Sequence, residues 1–208
     1  DFRERARTRA IPLEQAAEVE AALHFHGDHD LNPDLMTASM SKDAMRLAAV
    51  LIPVVDYGDK ASVILTKRAA HLPTHAGQIA FPGGKVSVDD ASIIDTALRE
   101  TVEEIGLAVE FIEPLGLLNA YRTGTGFCMI PVLSVVTPGY TLIADEQEVA
   151  DVFEVPLSFL MSPVNHQRHS REIYGKTRHF HAMPYRDRYI WGATAGILFA
   201  MYERLYAE

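Results

Sequence analysis

The stretch "FPGGKVSVDDASIIDTALRETVEEIGL", residues 81–107, constrains the fold more than any other part of the chain. It opens on a Pro-Gly-Gly turn, where the backbone can approach other groups more closely than residues with side chains allow. Asp89 or Asp90 can cap a helix behind it, and Gly106 stands where a left-handed stop is expected. Between them, Ala91, Ile94, Leu98, Val102 and Ile105 recur at helical spacing and predict one buried stripe. At ~100° per residue, Glu100, Glu103 and Glu104 fall on the opposite side, so the acidic cluster is expected to face out of the core.

Those three glutamates relate as i, i+3 and i+4, which makes them neighbours. Two like charges ~5.5 Å apart at an effective dielectric of ~20 repel by roughly 3 kcal/mol. Arg99 lies one helical turn before Glu103 and can orient that carboxylate, but one arginine does not neutralise three. A hard divalent cation would, and magnesium favours a few carboxylates with retained waters and substrate phosphates. A merely solvated acidic face is the plain alternative. Gly83 and Gly84 weigh against it, because a bare backbone beside carboxylates suits phosphate chemistry, where positioning and charge neutralisation supply most of the catalysis.

The remaining elements read as strands and helices around a sheet. Residues 1–47 form a helical, partly loose preface in which "PLEQAAEVEAAL" has helical composition and "HGDHDLNPD" is turn-rich. "AAVLIPVV" (48–55) is a short, β-branched apolar run and predicts a buried strand, with "ASVILTKR" (61–68) as its hairpin partner across "YGDK". "LGLLNAYR" and "FCMIPVLSVVT" read as further strands, separated by a turn loosened by Gly124 and Gly126. "ADEQEVADVFEVPLSFLM" (144–161) mixes an acidic loop, a short strand and a turn into a helix. "SREIYGKTRHFHAMPY" reads as a hairpin around Gly175, and "WGATAGILFAMYERLY" (191–206) as a closing amphipathic helix. Alternation of this kind predicts a sheet between helices, without internal repeats.

A chain of 208 residues, 48% hydrophobic and 23% charged, fits one soluble domain with an extension. Its formal charge of −9 argues against a non-specific nucleic-acid binder, though not against a small anionic substrate. Cys128 is the single cysteine, cannot form an internal disulfide, and fits a reducing compartment. "DFRERARTRA" lacks the apolar core of a secretory signal, and no apolar run approaches the ~18 residues of a membrane span. A cytoplasmic protein without membrane or nucleic-acid partners is expected, and assembly as a homodimer stays open.

"GGKVSVDDASIIDTALRETVEEIGL" resembles the Nudix box: Gly, five residues, Glu, seven residues, then Arg-Glu-aliphatic-x-Glu-Glu-x-Gly-aliphatic. Arg99, Glu100, Glu103, Glu104, Gly106 and Leu107 match its second half, with Thr101 in an aliphatic slot. In the first half Asp90 replaces the glutamate, and eight residues rather than seven separate it from Arg99. The coenzyme A pyrophosphatase branch shares that extra residue. "LTKRAAHLPTHAGQIAFPGG" (65–84) resembles that branch's own motif, as do "EVADVFEVPLSFL" and "IWGATAGIL". Pro73 and Ser87 depart from it at positions often basic and often acidic. The resemblance spans residues 48–198 and implies an α+β Nudix fold, an α/β/α sandwich with a mixed central sheet and a metal-binding loop-helix-loop. It sets residues 48–208 as the Nudix domain and 1–47 as an N-terminal extension.

The activity so implied is hydrolysis of the diphosphate bond of coenzyme A, giving 4′-phosphopantetheine and adenosine 3′,5′-bisphosphate. Glu100 and Glu104 are the expected Mg2+ or Mn2+ ligands, with the Gly84 carbonyl as a further one. Glu103 binds a second ion or orients water, with Arg99 fixing it. Glu148 stands beside Glu103 as general base, an ordinary solvated carboxylate being the alternative. Arg68 can pair with a phosphate through its two-pronged guanidinium, or form a surface ion pair. His75, Gln78 and Gly83 belong to the substrate loop, with turn stabilisation as the alternative for His75 and Gln78. The cations Arg168, Arg171, Lys176 and Arg178 can meet the extra charge of a ribose 3′-phosphate. His24, His26 and His29 lack structural-zinc spacing. His166, His169, His179 and His181 either contact phosphates or merely alternate along strands, and Trp191 packs in the core or the hairpin. Another diphosphate such as ADP-ribose or NADH is the competing substrate, and a non-catalytic nucleotide-binding domain the competing class.

Overall fold

The computed structural model describes residues 1–21, 25–35, 45–173 and 175–207. Its centre is the pair β2 (Arg46–Asp56) and β8 (Phe127–Val136), parallel in unbroken register from Arg46↔Phe127 to Val55↔Val136. Strand β3 (Ala61–Arg68) folds back on β2 through Val54↔Val63, as the turn at "YGDK" predicts. Strand β9 (Val149–Pro156) flanks β3, while β4 (Ile79–Ala80) and β5 (Gly83–Lys85) add short antiparallel pairs to β3 and β2. On the far side of β8 lie β6 (Ile112–Leu117) and β7 (Tyr121–Arg122), and β1 (His26–Gly27) runs parallel to β7. The sheet is mixed, as expected.

Why β2 is apolar without alternation follows from its two partners. Ala49, Leu51 and Val55 pack into a cluster beneath helix α3 (Ile93–Ile105), whereas Val50, Ile52 and Val54 pack against α5 (Ala193–Leu205). A strand covered on both faces has no side that can be polar. "LGLLNAYR" is not one strand, since β6 ends at Leu117 and β7 begins at Tyr121. The chain crosses between them through buried Leu118 and Ala120.

A second, three-stranded sheet joins β10 (Gln167–Ile173), β11 (Lys176–Tyr185) and β12 (Arg188–Trp191). The turn between β10 and β11 includes Gly175 at φ 71°, the left-handed region that glycine enters freely. Met183 and Ile190 on one face of this sheet join the α5 side of the core. Two short helices, α2 (Ala16–Ala21) and α4 (Leu157–Leu160), lie outside these layers' main helices.

The amino-terminal segment is not loose where it is described. Helix α1 (Phe2–Arg9) buries Phe2 and Ala6 in the α5 side of the core. Arg5 and Arg9 donate to the Leu205 carbonyl, and Arg3 and Arg7 both pair with Glu113.

Candidate functional site

Helix α3 begins later and is turned differently from expectation. Its cap is Ser92, whose hydroxyl accepts from the Asp95 amide at 3.2 Å, not Asp89 or Asp90. Gly106 does close it, in the left-handed conformation at φ 66°. The buried side carries Ile93, Thr96, Ala97, Thr101, Glu104 and Ile105; Val102 and Ala91 are exposed, and Ile94 and Leu98 are half-buried. The predicted stripe is therefore rotated, and the acidic cluster does not simply face out of the core. Contact with the sheet prefers the small Ala97 and Thr101, which let the helix approach β2 closely. Their row then carries Glu104 inward.

Glu104 is 4% exposed, and its Oε2 accepts from the Gly83 amide at 3.1 Å. Burial raises its carboxyl to about 7, helped by the charges of Glu148 and Glu100 and opposed by the Gly83 amide and Arg68. Arg68 Nη1 stands 3.9 Å from Glu104 Oε1, while Arg68 Nε is buried with no hydrogen-bond partner. Glu100 is also raised, first by burial and then by Glu103 and Glu148, against the pull of Arg99. A Cβ on Gly84 would run into the Glu100 carboxylate, and one on Gly83 into the backbone of Ala49 and Val50. Gly83 lets β5 lie against β2, and Gly84 leaves the Glu100 carboxylate its place.

Arg99 is the hub of the outer half. Its Nη1 donates to Glu100 Oε1 and Glu103 Oε2, each at 2.9 Å. Its Nε and Nη2 grip Asp90 in a fork at 2.8 and 2.9 Å. Asp90 also accepts from the Ser87 amide and the Thr96 hydroxyl, and Arg99 first, then these donors, hold its carboxyl well below the usual range. Asp90 does not cap the helix, nor does Asp89; Asp90 is the counter-anion of Arg99. The Ser-x-x-Asp pattern at Ser92 and Asp95 could have located the true cap.

The loop after β3 is closed on itself. Arg68 donates its amide to the Gln78 carbonyl at 2.9 Å, and its own carbonyl accepts from Gly77 at 3.1 Å. His75, at φ 57°, places Nδ1 2.9 Å from Gln78 Oε1. Glu148 reaches the same end of the sheet, its carbonyl accepting from the Ala69 amide at 2.8 Å. Arg68, Gly83, Gly84, Arg99, Glu100, Glu103, Glu104 and Glu148 thus gather at one end of β3, with His75 and Gln78 in the adjoining loop.

The late hairpin contributes otherwise. Lys176 and Arg178 both pair with Asp34, and His166 Nε2 lies 2.6 Å from the Leu160 carbonyl. His181 stacks on Phe199, while the His179 amide donates to Asn32 Oδ1. Of the early histidines, His26 and His29 flank Asp30, and His24 lies outside the described residues.

Among the described residues, no three His, Cys, Asp or Glu side chains converge on one metal-sized point. Arg99 draws Glu100 and Glu103 outward while the Gly83 amide holds Glu104. The donor set nonetheless fits a divalent cation bound chiefly through two carboxylates. Glu100 and Glu104 are both shielded from water, and burial works against their ionisation. Magnesium asks for no more than one or two carboxylates when substrate phosphates complete its shell.

The NUDIX domain profile matches residues 45–175. The chain belongs to the Nudix family. Two relatives of this Nudix chain both carry the name uncharacterized Nudix hydrolase NudL. The one from Enterobacter sp. (strain 638) is 39% identical over 179 residues, covering 82% of this chain and 93% of its own. The one from Citrobacter koseri is 43% identical over 155 residues, covering 74% and 79%. Among solved structures, a MutT/nudix family protein from Enterococcus faecalis aligns with a TM-score of 0.48 at 20% identity, over 90% of this chain and 70% of that one. A C. elegans Ap4A hydrolase binary complex aligns with a TM-score of 0.46 at 19% identity, over 53% and 80%. Membership gives the Nudix chain its reaction class, hydrolysis of a small molecule bearing a diphosphate. No helix among its described residues is long and apolar enough to cross a membrane.

Proposed function

We propose that the chain hydrolyses the diphosphate bond of coenzyme A and its thioesters, with Mg2+ or Mn2+ held by Glu100, Glu104 and the Gly84 carbonyl. When bound, such an ion neutralises charge on the diphosphate oxygens and lowers the pKa of the attacking water. Arg68 lies beside Glu104 with a buried, unpartnered Nε, and its guanidinium serves as the phosphate's bidentate donor. Glu103 is the exposed end of the Arg99 network; it or Glu148 accepts the water's proton as the P–O bond breaks. Arg99 keeps Glu103 and Glu100 in register, and Asp90 keeps Arg99.

The substrate reading rests on one observation. The stretch 65–84, whose motif resembles the coenzyme A branch, forms one closed unit through the Arg68–Gln78 and His75–Gln78 bonds and abuts the carboxylates through the Gly83–Glu104 bond. A loop that is both self-braced and joined to the buried carboxylate is suited to choose what the carboxylates act upon. The test is a substrate panel with product identification: coenzyme A, acyl and oxidised forms, ADP-ribose, NADH and diadenosine polyphosphates. Coenzyme A species should give the highest kcat/KM, yielding 4′-phosphopantetheine. A clear preference for ADP-ribose would replace this substrate with the competing one, and full turnover in excess EDTA would remove the metal from the account.

A further inference from the structure

The outer face of the β10–β12 sheet carries a row of rings that pack on one another across the hairpin strands, as the hairpin reading of Trp191 expects, and that lie outside the core. Register places His169 opposite Phe180 and Ala182 opposite Trp191, while Tyr189 lies two residues before Trp191 on the same face. His169 and Tyr189 stack at 5.9 Å, Tyr189 and Trp191 at 6.3 Å, and Phe180 meets Trp191 edge-on at 5.2 Å. Among the described residues, Phe180, Tyr189 and Trp191 belong to neither core cluster, and Tyr189 is 42% exposed. The other face of the sheet supplies Met183 and Ile190 to the core. The strip packs across its own strands yet adds nothing to either core cluster, and a row of half-exposed rings set among polar groups marks a recognition surface.

Charge says what kind of surface. Residues 167–191 hold six Arg or Lys against two Asp or Glu, in a chain of formal charge −9. Asp34 takes Lys176 and Arg178, and Asp151 takes Arg188. Among the described residues Arg168 and Arg171 enter no ion pair, and Arg171 lies over the Trp191 ring at 5.7 Å. Aromatic faces beside an unpaired guanidinium favour a ligand that is both planar and anionic. The strip is tied to the site already described: Thr194, three residues beyond Trp191, donates its hydroxyl to the Ile79 carbonyl at 2.9 Å. Ile79 follows Gln78, whose carbonyl holds the Arg68 amide.

We infer that the strip His169–Phe180–Tyr189–Trp191, with Arg171, binds the nucleotide end of the substrate, stacking its base and pairing its ribose-bound phosphate. The occupant rests on the proposed coenzyme A reading. It also revises which cations of the late hairpin are available, since Lys176 and Arg178 are already engaged by Asp34.

Trp191 is the only tryptophan in the chain and reports on this face directly. Its fluorescence would be followed in EDTA, where no turnover interferes, while adenosine 3′,5′-bisphosphate, AMP, adenosine and inorganic phosphate are titrated separately. Saturable quenching should be strongest with the bisphosphate. Tyr189→Ala should weaken it roughly fivefold or more, the lower range for losing one stacked base. Arg171→Gln should weaken the bisphosphate but leave adenosine nearly unchanged. Both side chains are exposed, and matching melting curves would establish that the variants fold. Silence with every nucleotide at millimolar concentration would overturn the inference, as would quenching that both variants leave intact. Quenching by single-stranded oligonucleotide alone would assign the face to nucleic acid, and loss of self-association in Tyr189→Ala without a nucleotide effect would assign it to a second copy; either overturns it. The two proposals fail separately. Bisphosphate quenching lost in the variants, without coenzyme A turnover, leaves the strip and removes the substrate; turnover with an unchanged KM in Tyr189→Ala and no quenching does the reverse.

Discussion

At Glu104 the chain keeps a carboxylate where water does not reach, and its carboxyl moves from 4.5 to about 7. A raised folded-state pKa gives stability that is complete below the unfolded value and is lost as pH rises through the folded one. In EDTA, resistance to urea should therefore decline between about pH 4.5 and about pH 7, by about 3 kcal/mol at most from this group. Glu104→Gln should flatten that decline while lowering turnover by orders of magnitude; parallel pH profiles for variant and parent would contradict the assignment. The two glycines beside it separate function from folding. The atoms nearest a Cβ at Gly84 are the far end of the Glu100 side chain, which can swing away. Gly84→Ala should therefore lose activity with little change in melting temperature. At Gly83 the obstacle is the β2 backbone and φ is 152°, so Gly83→Ala should cost roughly 2 kcal/mol or more in stability. Equal melting temperatures for the two variants would refute this division.

At the scale of elements, α3 and the 85–92 loop behave as one piece because Arg99 grips Asp90, Glu100, Glu103 and the Lys85 carbonyl together. Asp90 is the anchor, with its carboxyl held well below its ordinary value of 3.8. A depressed pKa contributes stability that is present above the unfolded value and is lost as pH falls toward the folded one. Acid unfolding of the wild type should be steeper below about pH 4 than that of Asp90→Asn. The same variant should lose roughly tenfold or more in kcat, the scale for an outer partner that orients a ligand. An Asp90→Asn enzyme with wild-type kcat would show that Arg99 needs no anchor. The sequence displayed the existence and stop of α3 plainly, yet set its start too early and misplaced its buried side by counting large apolar residues. Small residues decided the matter: Ala97 and Thr101 are buried against the sheet, Leu98 packs only at the margin of that cluster, and Val102 is exposed.

For the whole molecule, the sheet is sealed on both faces and the amino-terminal helix closes one margin. Phe2 is 7% exposed within the α5 side of the core, and α1 is further held by four arginines reaching Glu113 and the Leu205 carbonyl. Phe2→Ala should cost about 3 kcal/mol in urea unfolding, as for other large-to-small changes in packed sites. A loss below about 0.5 kcal/mol, the scale of an ordinary surface change, would mean that α1 is only appended. Composition had offered no hint of this, since "DFRERARTR" is mostly charged and its two buried residues show no long apolar pattern.

What the sequence determined by itself was everything carried by short-range rules. Apolar runs set β2, β3 and β8, turn chemistry set the β2–β3 and β10–β11 hairpins, and Gly106 set the end of α3. The Arg99–Glu104 pattern set the family. Only tertiary structure decided the rest, because each remaining feature depends on atoms distant along the chain. Glu104 is buried because β5 brings the Gly83 amide to it, and the Glu100 carboxylate keeps its place because Gly84 has no Cβ to displace it. Lys176 and Arg178 are engaged because Asp34 folds across more than a hundred intervening residues to meet them. Periodicity states which residues share a face; packing alone states what that face meets.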